Sequence, residues 1–541
     1  MKTSRYLSLS LLMFLAAAPL SAAPKSPQSV AAEIDAAIEK VLVANKVPLS
    51  PKSDDAEFLR RASLDIRGRV PTMERTVAFL KDTNPDKRAK LIDELLADAE
   101  YGEHFAIIWY HRMVRLDDDN RLLIAKNGMQ EWLADQFNKN STWNKIVGDI
   151  LMAQGDKDKH PETTFFFAHV DDNKGRHDPS PSKITASATK LFMGIRLECC
   201  ECHNHPFNAL KQTDFWGVAA FFGDTHSQHA SQKELKDGGN PAIHDGGVVK
   251  AKKKDTVVPH PFGQIVIPDT KGKMVKAKFL AGAEPNVASH PSLRKLFSNW
   301  LTSPQNRYFA QAAVNKVWAN FFGHGIVNPI DDMDPDRATH PDILKLLSDE
   351  FTASGFDQKH LIRCICASKT YQRTSGVLPN NKDDEKLYSH MKTKVMSADM
   401  LFDSLAIVLG HSIGEAPATK KEGGPKKGGG GPREAFRKFF HAEADDDSGV
   451  VEDYSHGVPQ VLRLMNSGQT NRSNAVIATA MKAGEPEKVI ESLYLTVLSR
   501  YPSATETKKM KDYAAKDQLT PKAFGDLLWV LLNSGEFMFN H

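Results

Sequence analysis

The run Cys199-Cys-Glu-Cys-His-Asn-His-Pro-Phe207 sets two thiols three positions apart and an imidazole directly after the second. Cys199, Cys202 and His203 therefore satisfy C-x-x-C-H, the attachment pattern of haem c. The spacing has a chemical basis. Each thiol can bond one of the two porphyrin vinyl groups, and the adjacent imidazole then meets the iron as an axial ligand. With 5 cysteines and 20 histidines in 541 residues, chance would produce the pattern about 0.002 times. Thiolate plus imidazole also suits zinc or copper, so Cys199, Cys202, His203 and His205 form an alternative metal set. A redox disulfide between Cys199 and Cys202 is the weaker third reading, because no thioredoxin-like βαβ pattern surrounds the pair.

Neighbouring residues carry smaller expectations. Cys200 reads as a buried small hydrophobe, yet beside the first anchor it is also a competing thiol. His205, two residues from His203, cannot readily reach the opposite ring face and more naturally orients the loop or donates a hydrogen bond. His104, His111 and His169 are distal-ligand candidates, each read more simply as an ordinary histidine. Phe207, Phe215, Trp216, Phe221 and Phe222 either wall a cofactor or form the apolar face of a core helix. Cys364 and Cys366, two apart on a helical pattern, point away from each other and read as packing residues.

The elements that position this cluster read as mainly α: two helical domains with a small β-containing insert between them. A helix from Lys183 to about Arg196 delivers the chain into the cysteines. Upstream, residues 24–225 form a helical domain, with apolar positions such as Leu91, Ile92, Leu95 and Leu96 making one stripe. Residues 226–288, with Gly238, Gly239, Gly246, Gly247 and the run Ile265-Val266-Ile267, read as the insert. Helices resume at Ser289 and Pro291 and fill 289–541, interrupted by a flexible Gly/Lys-rich linker at 414–432. The acidic run Asp331 to Asp336 lacks the glycine and glutamate of a calcium loop and reads as a solvated turn.

Residues 1–23 have the three parts of a cleavable signal peptide: Lys2 and Arg5, an apolar run of Leu7 to about Ala18, then small residues. The expectation is a bacterial protein exported to the periplasm, cell surface or medium, with no integral membrane segment after cleavage. Seventy basic against 67 acidic residues give +3, which argues against binding nucleic acid by bulk charge. No phosphate loop, H-E-x-x-H pair or G-x-S-x-G elbow is present.

Beyond the cluster, Phe58-Leu-Arg-Arg-Ala-Ser-Leu-Asp-Ile-Arg-Gly-Arg-Val-Pro71, Lys87 to Asp93, Tyr101-Gly-Glu103 and Phe215-Trp216 stand out. So do Phe309 to Trp318, Phe321-Phe-Gly-His-Gly325, His340-Pro341 and Ser368-Lys-Thr-Tyr-Gln372. Together these resemble the planctomycete-type cytochrome-C-associated family, in which a domain of unknown function catalogued as 1549 precedes one catalogued as 1553. The resemblance implies an exported, haem-c-like protein whose substrate is not established, and its C-x-x-C-H falls on Cys199, Cys202 and His203.

Three functions follow as expectations. The first is a c-type-cytochrome-like protein with one covalent haem, active in electron transfer or another redox process with other periplasmic redox proteins. The second is a non-redox binding or scaffold protein in which the cluster holds zinc or serves structure. The third is an exported enzyme, for which no catalytic constellation is visible.

Overall fold

The computed structural model describes residues 23–114, 128–173, 176–206, 209–229, 231–246, 261–280, 282, 284–410, 433, 436–437 and 474–541. The apolar leader and the 414–432 linker lie outside the described residues. Among those described, 21 α-helices and only short strands occur, so the chain is mainly α. Strand Ala242–Asp245 pairs with Thr225–Gln228 on one side and with Gly155–Asp156 on the other, and Gln264–Val266 pairs with Met274–Lys276.

The helices begin where side chains satisfy their first amides. Asp54 accepts from Glu57 N–H, Thr72 from Arg75 and Ser180 from Lys183. Several end on a left-handed glycine, at Gly68 and Gly194 among others. Gly194 stops the helix Pro181–Met193 three residues short of the expected Arg196, and a separate 3-10 turn, Leu197–Cys200, follows. The helix expected from Ser289 instead begins at Leu293, with Ser292 as its cap. Ser292 Oγ accepts from Lys295 N–H at 3.3 Å, which Ser289 is too far upstream to do.

Buried apolar residues divide into two clusters. One runs from Val30 to Met391 and contains Phe58, Trp109, Trp143, Phe192, Leu197, Cys200, Phe215 and Trp318. The other gathers Met396 to Met538 around Leu64 and Val70. The helix Asp55–Arg67 thus contributes to both, and its polar residues are the joint. Arg60, fully buried, donates to the carbonyls of Val497, Glu536 and Phe537, while Arg61 donates to those of Tyr371, Arg373 and His541. Asp65 accepts from Tyr371 Oη at 2.8 Å and Asn540 Nδ2 at 2.6 Å, and pairs with Lys394. Buried charges are tolerated here because each has partners. The Arg67 and Arg69 guanidiniums bridge Asp98, Glu100, Glu103 and Asp403. At Gly68, with φ +70°, any side chain would also meet the His104 ring.

Asp331 departs from the solvated-turn expectation. It is 4% exposed and forms an ion pair of 2.8 Å with Lys316, which is fully buried.

Candidate functional site

The cysteine turn is built from a buried side and an open side. Leu197 and Cys200 are fully buried, whereas Cys199, Cys202 and His203 are exposed. A 3-10 turn produces this alternation, since its three-residue repeat points Leu197 and Cys200 the same way. No disulfide joins any of the five cysteines. Burial pushes the Cys200 thiol pKa up, which disfavours its reactive thiolate, so the packing reading of Cys200 fits the geometry better than that of a competing thiol. Cys364 and Cys366 are likewise buried, and desolvation pushes the Cys364 thiol up to about 12.

The open side is held by backbone capture. The Glu201 carbonyl accepts from Trp216 Nε1 at 2.9 Å and from Gln212 Nε2 at 3.1 Å, and Gln212 Nε2 also reaches the Cys202 carbonyl at 3.0 Å. Glu201 Oε1 accepts from Ser182 Oγ at 2.5 Å. Asn204 Oδ1 takes the Gln212 N–H at 3.0 Å, and His205 N–H donates to the Leu210 carbonyl at 2.9 Å. These contacts come from both ends of the neighbourhood: Ser182 opens the helix Pro181–Met193, and Gln212 and Trp216 lie on the helix Gln212–Ala219.

His203 Nδ1 lies 2.8 Å from the Asn204 carbonyl oxygen. An N–H at Nδ1 can donate to that acceptor, and in that tautomer Nε2 carries the lone pair. The exposed thiols and a ring so oriented fit the chemistry of thioether attachment and iron ligation. Cys199 and Cys202 are both open to solvent.

The other candidates separate. Phe215, Trp216, Phe221 and Phe222 are core residues: Phe221 stacks on Phe279 at 5.1 Å and packs on Phe297 at 5.5 Å, and Phe222 meets Phe297 edge-on. Phe207 lies outside the described residues. His104 is packed beneath Gly68, and burial, then Arg69, pulls its pKa down to about 3. His111 pairs with Asp399 at 3.3 Å and contacts Arg437 at 2.9 Å. His169 is buried, with Nδ1 2.7 Å from the Phe165 carbonyl oxygen. Among the described residues, no three His, Cys, Asp or Glu side chains gather into a group that could hold a metal ion; the four-residue zinc set of Cys199, Cys202, His203 and His205 is therefore not assembled. Gln212 and Ser182 carry no sequence signal for their roles, which depend on two helices meeting over one peptide. Trp216 had a partial one, an indole N–H that needs a partner when buried.

No described helix is long and apolar enough to cross a membrane. Comparisons with curated proteins and with solved structures give no match. Two family models do match: protein of unknown function (DUF1549) over residues 33–227, which includes the cysteine turn, and protein of unknown function (DUF1553) over residues 293–427. The chain belongs to the family in which the first of these domains is followed by the second.

Proposed function

We propose that the protein is an exported, c-type-cytochrome-like redox protein carrying one haem c on the turn at Cys199–His203. The observation that supports this reading most is the pairing of the C-x-x-C-H spacing with its exposure: both thiols and the imidazole face solvent while their neighbours Leu197 and Cys200 are buried. Cys199 and Cys202 would hold the haem through thioether bonds, and His203 would supply a nitrogen ligand to its iron. Haem iron held this way supplies one-electron transfer. The backbone captures by Gln212 and Trp216 hold the peptide between the anchors, and Asn204 holds the imidazole tautomer. Redox partners in the same compartment would exchange electrons at this exposed edge.

Co-expression with the haem c maturation machinery, followed by a pyridine haemochrome spectrum, tests the reading. A stoichiometric haem c band that disappears in Cys199→Ser and Cys202→Ser supports it. A colourless protein with two titratable surface thiols overturns it, and stoichiometric zinc in that protein would favour the scaffold reading.

A further inference from the structure

The helix that delivers the cysteine turn ends against the second matched domain. Helix Pro181–Met193 packs on helix Arg307–Phe322, and the last four carbonyls of any helix lack partners within it. One of these, Lys190 O, accepts from Lys316 Nζ at 3.3 Å. The same ammonium donates to Ile330 O at 3.0 Å and pairs with Asp331 at 2.8 Å. Two residues on, Met333 N–H donates to Gly194 O at 2.7 Å. Gly194 holds φ +65°, and a Cβ there would lie 2.6 Å from Met333 Sδ. A cation at a helix C-terminus is also favoured by the helix dipole.

We propose that Lys316 and Met333 are positioning residues for the attachment turn, so that the second domain fixes where Cys199, Cys202 and His203 are presented. This rests on the attachment reading for its purpose, while the mechanical link stands on the contacts alone. Four residues separate Gly194 from Cys199. Over that distance the chain enters the 3-10 turn at the buried Leu197, whose N–H donates to Ile195 O. Holding Gly194 O and Lys190 O therefore sets the start of a short, hydrogen-bonded path. Lys316 is suited to this because burial leaves its amine no solvent to prefer over the carbonyls, and the Asp331 carboxylate opposes the downward pull of burial on its pKa.

The test is hydrogen exchange of the full, haem-free chain, read over residues 194–212 and, as an internal control, over the remote helix Ala504–Ala515. Lys316→Met combined with Asp331→Leu removes the clamp without stranding a buried charge. Exchange over 194–212 is expected to rise about tenfold, as loss of a charge-assisted hydrogen bond implies, with the control unchanged. Met333→Ala, which trims the packing against Gly194 and keeps the Met333 N–H bond to its carbonyl, is expected to raise it a few-fold and serves if the double variant does not fold. Unchanged exchange over 194–212 in a folded variant overturns the proposal. Haem attachment yield in the same variants is a separate readout: a wild-type protein that attaches no haem refutes the attachment reading but leaves the exchange result intact.

Discussion

Two polar stretches of this chain, Phe58 to Arg67 and Cys199 to Pro206, look equally able to do chemistry on paper and are used in opposite ways. In the first, Arg60, Arg61 and Asp65 are buried and bond mostly to carbonyls, a tyrosine, a lysine and an asparagine drawn from residues 371–541. In the second, Cys199, Cys202 and His203 stand in solvent, and it is the backbone between them that is captured. Charge and residue type do not separate a structural motif from a chemical one. Where the partners come from does: a structural motif satisfies its own side chains, whereas a site leaves them available.

Breaking the first stretch has the largest expected effect. Asp65→Ala leaves the half-buried Lys394 and the buried Tyr371 and Asn540 without their carboxylate partner, a loss of about 3 kcal/mol read by urea unfolding; a loss under about 1 kcal/mol would contradict the role of Asp65 as a joint.

Acidification probes the same buried region. His104 is held neutral, its pKa pushed down to about 3, and His324 and His340 are pushed to about 4, in each case chiefly by burial. A folded pKa below the unfolded value near 6.5 means stability that is complete above that pH and lost as pH falls. Each of these histidines should cost about 2 kcal/mol between pH 7 and pH 5. Denaturant midpoints that are level across that interval would refute the buried-neutral assignment.

Gly68→Ala should cost about 1–2 kcal/mol from its left-handed backbone alone, with the His104 ring adding to it, seen as a lowered melting temperature. The cysteines then sharpen the contrast within one turn. Cys200→Ser buries a hydroxyl and should cost about 1–3 kcal/mol, whereas Cys199→Ser and Cys202→Ser should stay within about 0.5 kcal/mol. Equal costs at all three positions, measured by chemical denaturation of the haem-free protein, would remove the division into a buried and an open side.

Much of this was readable in advance. Helix positions followed from apolar stripes such as Leu91, Ile92, Leu95 and Leu96, all buried as the period requires. The cluster itself stood out because three of five cysteines fall in four positions, and the packing roles of Cys200, Cys364 and Cys366 followed from spacing. What could not be read were pairings distant in sequence. Lys316 reaches Lys190 across 126 residues and Arg60 reaches Phe537 across 477, and no local pattern encodes either. Asp331 looks solvated in sequence because its partner, Lys316, lies a helix away and is itself in the core. The aromatic run after the turn was ambiguous for the same reason: Phe279 and Phe297, which cover Phe221, come from later in the chain.

The most direct test of the central assignment is intact and peptide mass spectrometry of the protein matured with the haem c machinery. The account predicts a mass increase of one haem, located on the peptide containing Cys199 and Cys202 and absent when both are serine. An unmodified mass with both thiols open to alkylation, under conditions that mature a control cytochrome, would contradict it.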